Sequence, residues 1–128
     1  MGNRHQDWLR QAEKGSKRAQ RSVEHGDDGW ARFTAHQTAE KAVKALHLFW
    51  GQEAWGYVVA KLLRELPISV PEELIERGKV LDGYYIPPRY PNGFPEGVPF
   101  EHFGSLQTRE ALEHARSIIE PVRSQMAG

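Results

Sequence analysis

The sequence contains no cysteine, and this absence excludes two classes of structure. Disulfide frameworks and thiolate metal sites both need cysteine, so neither is available to this chain of 128 residues. Long hydrophobic runs are also absent, since no apolar stretch approaches the roughly 20 residues that a membrane-spanning helix needs. The polar first residues, MGNRHQDW, do not resemble a signal peptide. We therefore expect a cytoplasmic protein with no membrane segment.

The chain also lacks an excess of charge of either sign. Seventeen Lys and Arg residues balance seventeen Asp and Glu residues, which gives a formal net charge of zero. Proteins that bind nucleic acid through many phosphates usually carry a basic excess, and the chain as a whole shows none. The segment 4–24 is locally basic, which we interpret as the solvated face of a helix.

No segment alternates apolar and polar residues as a half-buried β-strand does. Instead, apolar residues recur every three or four positions, which is typical of helices. The length fits a single domain over residues 1–128. We predict an all-α fold, an antiparallel up-and-down bundle of four main helices with a short extra helix and a long Pro-rich loop before the last helix. Pro121 is expected to kink the last helix or to fray its last turn. The predicted helices cover residues 3–25, 30–50, 57–66 (the short one), 71–85 and 105–125.

One face of the second predicted helix mixes an aromatic residue with polar ones. Phe33, Gln37, Glu40 and Lys44 are spaced 4, 3 and 4 apart, so they share a face. Such a face can simply be solvated, with Glu40 and Lys44 forming an i, i+4 ion pair. Alternatively, Phe33 indicates that a partner or a second copy of the chain covers the face.

Two groups of residues with catalytic or metal-binding chemistry have unfavourable spacing. His36 and His47 are three helical turns apart, about 16 Å, which is too far to share one metal ion. Arg109 and His114 supply a cation and a base, but residues five apart in a helix point in different directions. We therefore predict no metal, no cofactor and no catalytic residue, with Arg109 and His114 kept as the alternative.

The segment YYIPPRYPNGFPEGVPF, residues 84–100, combines five prolines with several aromatic rings. Prolines reduce the entropy cost of holding one conformation, so we expect an ordered loop. In one interpretation its rings cover an end of the bundle, and Arg89 forms an ion pair with Asp82 or Glu101.

In the other interpretation the same loop is a binding surface. Its tyrosines offer aromatic faces, and Arg89 lies beside Lys41 and Lys44 to form a positive pocket. Such a pocket suits a base, a phosphate or an acidic partner protein.

Two separate motifs resemble the HEPN domain family. FTAHQTAEKAVKAL, Phe33–Leu46, is similar to the family pattern F-x-x-Q-Q-A-A-E-K-A-x-K-A-L. LDGYYIPPRYPNGFP, Leu81–Pro95, is similar to L-D-x-Y-Y-I-P-x-R-Y-P-D. The opening DWLRQAE and the closing A-L-E-x-A-x-x-I-x-E also fit, so the resemblance covers nearly the whole chain.

The resemblance implies a helical bundle, frequent homodimers and cytoplasmic function. Many prokaryotic members act with a minimal nucleotidyltransferase as a toxin–antitoxin-like pair, a nucleotide-binding role is proposed for the family, and one branch consists of metal-independent RNases. We therefore expect a non-catalytic binding module whose partners are a nucleotidyltransferase protein, a second copy, and a nucleotide or RNA. The binding residues carried over by position are Gln37, Glu40, Lys41, Lys44, Asp82, Tyr85, Arg89 and Tyr90.

The chain departs from the family patterns at several positions. His36 and Thr38 stand where Gln and Ala are usual, Tyr57 stands where relatives commonly have histidine, and Asn92 replaces Asp. The RNase branch uses an arginine and a histidine separated by four to six residues, often with Asn after the arginine. Arg109 and His114 meet that spacing, but Glu110 follows the arginine, so an endoribonuclease using this pair is the alternative function.

Overall fold

The computed structural model describes residues 4–84 and 105–127, and within these ranges the chain is helical with no strand. The predicted all-α bundle is confirmed, and the helix boundaries lie within a few residues of those expected from periodicity. The Pro-rich segment expected to form an ordered loop falls almost entirely outside the described residues. The helices are α1 His5–Glu24, α2 Asp28–Phe49, α3 Val59–Arg64, α4 Glu72–Asp82 and α5 Ser105–Ala127.

The turn between α1 and α2 follows from three residues of the sequence. Gly26 has a φ of 77°, a left-handed conformation that glycine adopts without a steric penalty. Asp27 then caps α2, since its carboxylate accepts a hydrogen bond from the backbone N–H of Trp30 at 3.3 Å. The connection is therefore short, and α1 folds back against α2.

Helix α2 is the centre of the bundle and packs against all four other helices. Helix α1 contacts α2 and α5 but neither α3 nor α4, so α1 and the α3–α4 pair lie on opposite sides of α2 and α5. The core between them is built from alanine, leucine, isoleucine and valine side chains. Among the described helices, none is long and apolar enough to cross a membrane.

Small residues allow α1 and α2 to approach each other closely. Ala12 and Ala19 of α1 are fully buried, and Gly15 lies between them. A Cβ atom at Gly15 would collide with Oγ1 of Thr38 on α2. The narrow stripe of small residues in the sequence therefore corresponds to a tight helix–helix contact.

The last helix continues past Pro121. Helix α5 runs to Ala127, so the fraying that was one of the two expected effects of this proline does not occur. Val122 and Met126 are both buried against the core, and their burial stabilises the last turns despite the missing N–H of the proline.

Candidate functional site

The polar face predicted on α2 is only partly exposed to solvent. Gln37, Glu40, Lys41 and Lys44 are all half-buried. The ion pair expected from their spacing is present, with Lys44 Nζ 2.9 Å from Glu40 Oε2, and both side chains keep less than a fifth of their surface exposed. Lys44 Nζ also lies 5.8 Å from the ring centroid of Trp8, close enough for a cation–π contact. The face is thus held in place by α1.

An open cavity of about 440 Å³ lies beside Lys44. It forms where the beginning of α1, the C-terminal half of α2 and the chain that follows α2 meet. Two indole rings face it, and that of Trp55 is 77% exposed, an unusual state for so large an apolar side chain. The residues that line this indole pocket are Arg4, Trp8, Lys44, Leu48, Glu53, Ala54 and Trp55.

The charges of the indole pocket suit a ligand that is both aromatic and anionic. Arg4 and Lys44 supply two cations, and Glu53 supplies one carboxylate at the rim. Trp55 and Glu53 also line a neighbouring cavity of about 570 Å³ together with Lys61. A planar ring can stack on an indole, and a phosphate can then reach a guanidinium or an ammonium group.

The eight binding residues predicted from the sequence do not all meet at this pocket. Lys44 lines it and Glu40 pairs with Lys44, whereas Gln37 and Lys41 lie on α2 without lining it. Trp8, Trp55 and Arg4 were not predicted, because they come from other elements and have no spacing that relates them to α2. Three predicted residues lie outside the described part of the chain: Tyr85, Arg89 and Tyr90.

Asp82, the fifth predicted binding residue in the described part, has structural partners. Its Oδ1 accepts from the backbone N–H of Val59 at 2.7 Å, and its Oδ2 accepts from that of Ala60 at 3.1 Å. These are the first two residues of α3, so Asp82 caps that helix from the end of α4. The buried ring of His36 donates from Nε2 to Asp82 Oδ1 at 3.0 Å. One carboxylate therefore joins α2, α3 and α4.

A second group of contacts, centred on Arg32, links the residue after α4 to the first turns of α5. Arg32 is 2% exposed, and its Nη1 donates to Oγ1 of Thr108 in the first turns of α5 at 2.6 Å. The same guanidinium lies 5.9 Å from the ring centroid of Tyr84, just after α4. Burial lowers the pKa of Arg32, and the nearby charge of Asp28 opposes that effect. Burial raises the pKa of Tyr84.

Arg109 and His114, the alternative catalytic pair, lie on one continuous helix, α5. Their five-residue separation places them about 140° apart around α5, with Arg109 exposed and His114 half-buried. The cation that contacts His114 is instead Arg77 of α4, whose Nη1 donates to His114 Nδ1 at 3.0 Å. Burial first, and then the charge of Arg77, lower the pKa of His114. Because Nδ1 accepts from Arg77, the ring in this contact is neutral and carries its proton on Nε2.

The two histidines considered for a metal have separate contacts. The buried ring of His47 donates from Nε2 to the carbonyl of Leu62 at 2.8 Å, while His36 contacts Asp82. Within residues 4–84 and 105–127, no group of three or more His, Asp and Glu side chains could hold a metal ion.

The aromatic residue on the predicted α2 face lies at the other end of that helix. Phe33 is half-buried and packs edge-to-face against Trp30, with ring centroids 5.4 Å apart. The indole of Trp30 is 50% exposed. This pair leaves an apolar surface near the start of α2.

Comparisons with known proteins agree on one family. The HEPN domain family model matches residues 5–125. The chain is 48% identical to TT1696 from Thermus thermophilus, with a TM-score of 0.89 over 95% of this chain and 98% of that one. It is 33% identical to ST0689, an archaeal HEPN homologue, with a TM-score of 0.83 over 95% and 97% of the two chains.

A third solved structure extends the same comparison. An HEPN domain protein from Thermotoga maritima is 30% identical, with a TM-score of 0.76 over 94% of this chain and 98% of that one. No match was found among curated proteins.

Proposed function

Since the chain belongs to the HEPN domain family, we propose that it is a non-catalytic binding module of that family that takes a nucleotide in the indole pocket. It acts with a minimal nucleotidyltransferase in a toxin–antitoxin-like pair, as a homodimer, in the cytoplasm. The observation that carries the proposal is the pocket itself, where two indoles and two cations surround about 440 Å³ of open space.

The pocket chemistry supports a nucleotide over a simple anion or a simple aromatic compound. Stacking of a base on an aromatic side chain contributes about 1–3 kcal/mol, and Trp55 presents most of its ring to solvent. Arg4 and Lys44 can bind phosphates, although the ion pair between Lys44 and Glu40 must then weaken.

Isothermal titration with ATP tests this part of the proposal. Trp55→Ala should weaken binding about five- to a hundredfold, because it removes one stacking surface. Trp50→Ala is the matched control, since Trp50 is also exposed but does not line the indole pocket. Equal losses in the two variants, or no binding of ATP by the unaltered chain, would contradict a nucleotide site here.

An endoribonuclease is the second candidate, favoured by the contact that places the guanidinium of Arg77 3.0 Å from the ring of His114. Nδ1 of His114 can accept a proton from a ribose hydroxyl once its hydrogen bond from Arg77 is broken, and Arg77 or Arg109 could then stabilise negative charge. Incubation of the purified chain with single-stranded RNA separates the two functions. We expect no cleavage, whereas cleavage that His114→Ala abolishes would establish the second candidate instead.

The homodimer and the nucleotidyltransferase partner have separate tests. The exposed Trp30 beside Phe33 supports a covered surface at the start of α2. Light scattering should give twice the mass of 14.6 kDa, and Trp30→Glu should return the monomer mass.

Co-purification with a minimal nucleotidyltransferase from the same genome should give a complex, and two separate elution peaks would argue against that partner.

A further inference from the structure

The outer face of α1 carries a continuous row of cations. Arg10, Lys14, Lys17, Arg18 and Arg21 fall within an arc of about 100° around the helix, and all are exposed or only half-buried. From the first to the last of them the row extends about 16 Å along the axis. A net charge of zero for the whole chain therefore conceals a local excess of cations on this face.

Helix α5 widens this row. Arg116 donates from Nη2 to Gln20 Oε1 at 3.2 Å, and Arg123 donates from Nε to Glu13 Oε2 at 3.0 Å, which places both arginines beside α1. Together with Lys17 they line a surface cavity of about 410 Å³. We call the combined surface the basic band: Arg10, Lys14, Lys17, Arg18, Arg21, Arg116 and Arg123.

Carboxylates neutralise only part of the basic band. Asp7 pairs with Arg10 at 2.7 Å, and Glu13 and Glu120 both pair with Arg123. These pairs are exposed and contribute little to stability, so an anionic partner can compete for their cations. Five cations of the band form no ion pair with any residue in the described ranges: Lys14, Lys17, Arg18, Arg21 and Arg116.

Charges on the other side of the molecule are nearly balanced, since residues 59–82 carry four Lys and Arg against five Asp and Glu. Glu72, Glu73 and Glu76 lie in the first half of α4, which α1 does not contact. Each of these three glutamates pairs with an arginine or lysine on the same side, so that side lacks the excess of cations found in the basic band.

The basic band offers no apolar anchor. The exposed large hydrophobic residues of the described chain lie elsewhere, and none is in α1. Protein interfaces place aromatic and apolar residues at their centre, whereas nucleic-acid interfaces are polar and strongly positive. Single-strand binding adds aromatic side chains on which successive bases stack, and the seven residues of the band include none.

We propose that the basic band binds the phosphate backbone of double-stranded DNA without reading its sequence. The row along α1 is as long as about five base pairs of a DNA duplex, since each base pair adds about 3.4 Å along the duplex axis. The two arginines of α5 make the contact surface wider. This surface is separate from the indole pocket, so it goes beyond the proposed function and does not depend on it.

Fluorescence anisotropy of a labelled DNA duplex of about 24 base pairs, measured over a range of KCl concentrations, tests the proposal. A plot of log affinity against log salt should have a slope of about −3 to −5. The triple variant Lys14→Gln, Lys17→Gln, Arg18→Gln should reduce the steepness by about 2–3 and weaken binding at least tenfold. Glutamine keeps the helix propensity of these positions, and a thermal melt checks that the variant is folded.

The matched control makes the same change of charge on the other side of the bundle. Lys61→Gln, Arg64→Gln, Lys79→Gln also removes three cations, all exposed on α3 and α4, and should leave the slope unchanged. Equal losses in both triple variants would overturn the proposal, since binding would then depend only on net charge. Tighter binding of a single strand, an RNA duplex or polyglutamate, or no binding of the DNA duplex at low salt, would overturn it as well.

Discussion

Asp82 belongs to a motif that resembles the family pattern, yet its carboxylate has hydrogen-bond partners within the fold. Its two oxygens accept hydrogen bonds from the first two N–H groups of α3 and from the buried ring of His36. The α3 helix has six residues and no cap of its own, because Val58 precedes it. The carboxylate that the resemblance marked for binding therefore holds three helices together.

Replacing Asp82 with alanine should destabilise the fold strongly. The change leaves two N–H groups and the His36 ring without their acceptor, and hydrogen bonds to a charged group contribute about 1.5–3 kcal/mol. We expect a loss of about 3 kcal/mol in urea unfolding. Glu76→Ala on the same helix is the control, since its carboxylate is exposed and pairs with Lys79, and it should stay within about 0.5 kcal/mol of the original. Similar losses in both variants would rule out this role.

His114 should make stability depend on pH in a definite direction. Burial and Arg77 hold its folded-state pKa below the ordinary 6.5, so the unfolded chain takes up the proton first as pH falls. This contribution to stability is complete above about pH 6.5 and is lost as pH falls through the folded-state pKa. His114→Gln should flatten that dependence, and Arg77→Gln should weaken it. An NMR titration that placed the pKa of His114 at or above 6.5 would refute the assignment.

Single residues of the candidate site were predictable only where they share one helix. The spacing of Glu40 and Lys44 predicted their ion pair, which the structure contains at 2.9 Å. Trp8 and Trp55 reach Lys44 from two other parts of the chain, and no periodicity connects such positions. The same limit applies to Arg77 and His114, which meet across α4 and α5.

At the scale of elements, α1 and α2 approach each other closely at Gly15. Gly15 faces Thr38, whose buried Oγ1 has no hydrogen-bond partner within residues 4–84 and 105–127. The related family pattern has alanine at the position of Thr38. This threonine therefore narrows the space that remains for a side chain at position 15.

A double-mutant cycle tests this contact. Gly15→Ala alone should destabilise by about 1–2 kcal/mol, because the overlap with Thr38 outweighs the roughly 1 kcal/mol gained from helix propensity. In the Thr38→Ala background the same change should stabilise, since the obstructing hydroxyl is gone. Additive effects in denaturant unfolding would show that the two residues do not restrict each other.

The helices themselves were predictable because local signals agree with tertiary packing. Gly26 and Asp27 marked the turn before α2, and Pro71 with its two following glutamates marked the start of α4. The behaviour at Pro121 was less predictable, since the burial of Val122 and Met126 depends on neighbours distant in sequence. Local propensity can be overridden by such burial.

At the scale of the whole molecule, the arrangement around α2 determines where the surfaces lie. Helix α1 on one side carries the basic band and contributes Trp8 to the indole pocket, and α3 with α4 lies on the other side. The sequence predicted the fold class and its family, but the distribution of charge required the three-dimensional arrangement. The chain as a whole has a formal net charge of zero, whereas the fold brings the seven cations of the basic band to one surface.

The central claim is that a nucleotide binds in the indole pocket, and the four tryptophans of the chain allow one direct measurement. A two-dimensional ¹H–¹⁵N NMR spectrum resolves each indole N–H as a separate reporter. On titration with ATP, the signals of Trp8 and Trp55 should shift together and saturably, whereas those of Trp30 and Trp50 should stay in place. Shifts confined to Trp30 or Trp50, or no shift at all, would contradict the claim.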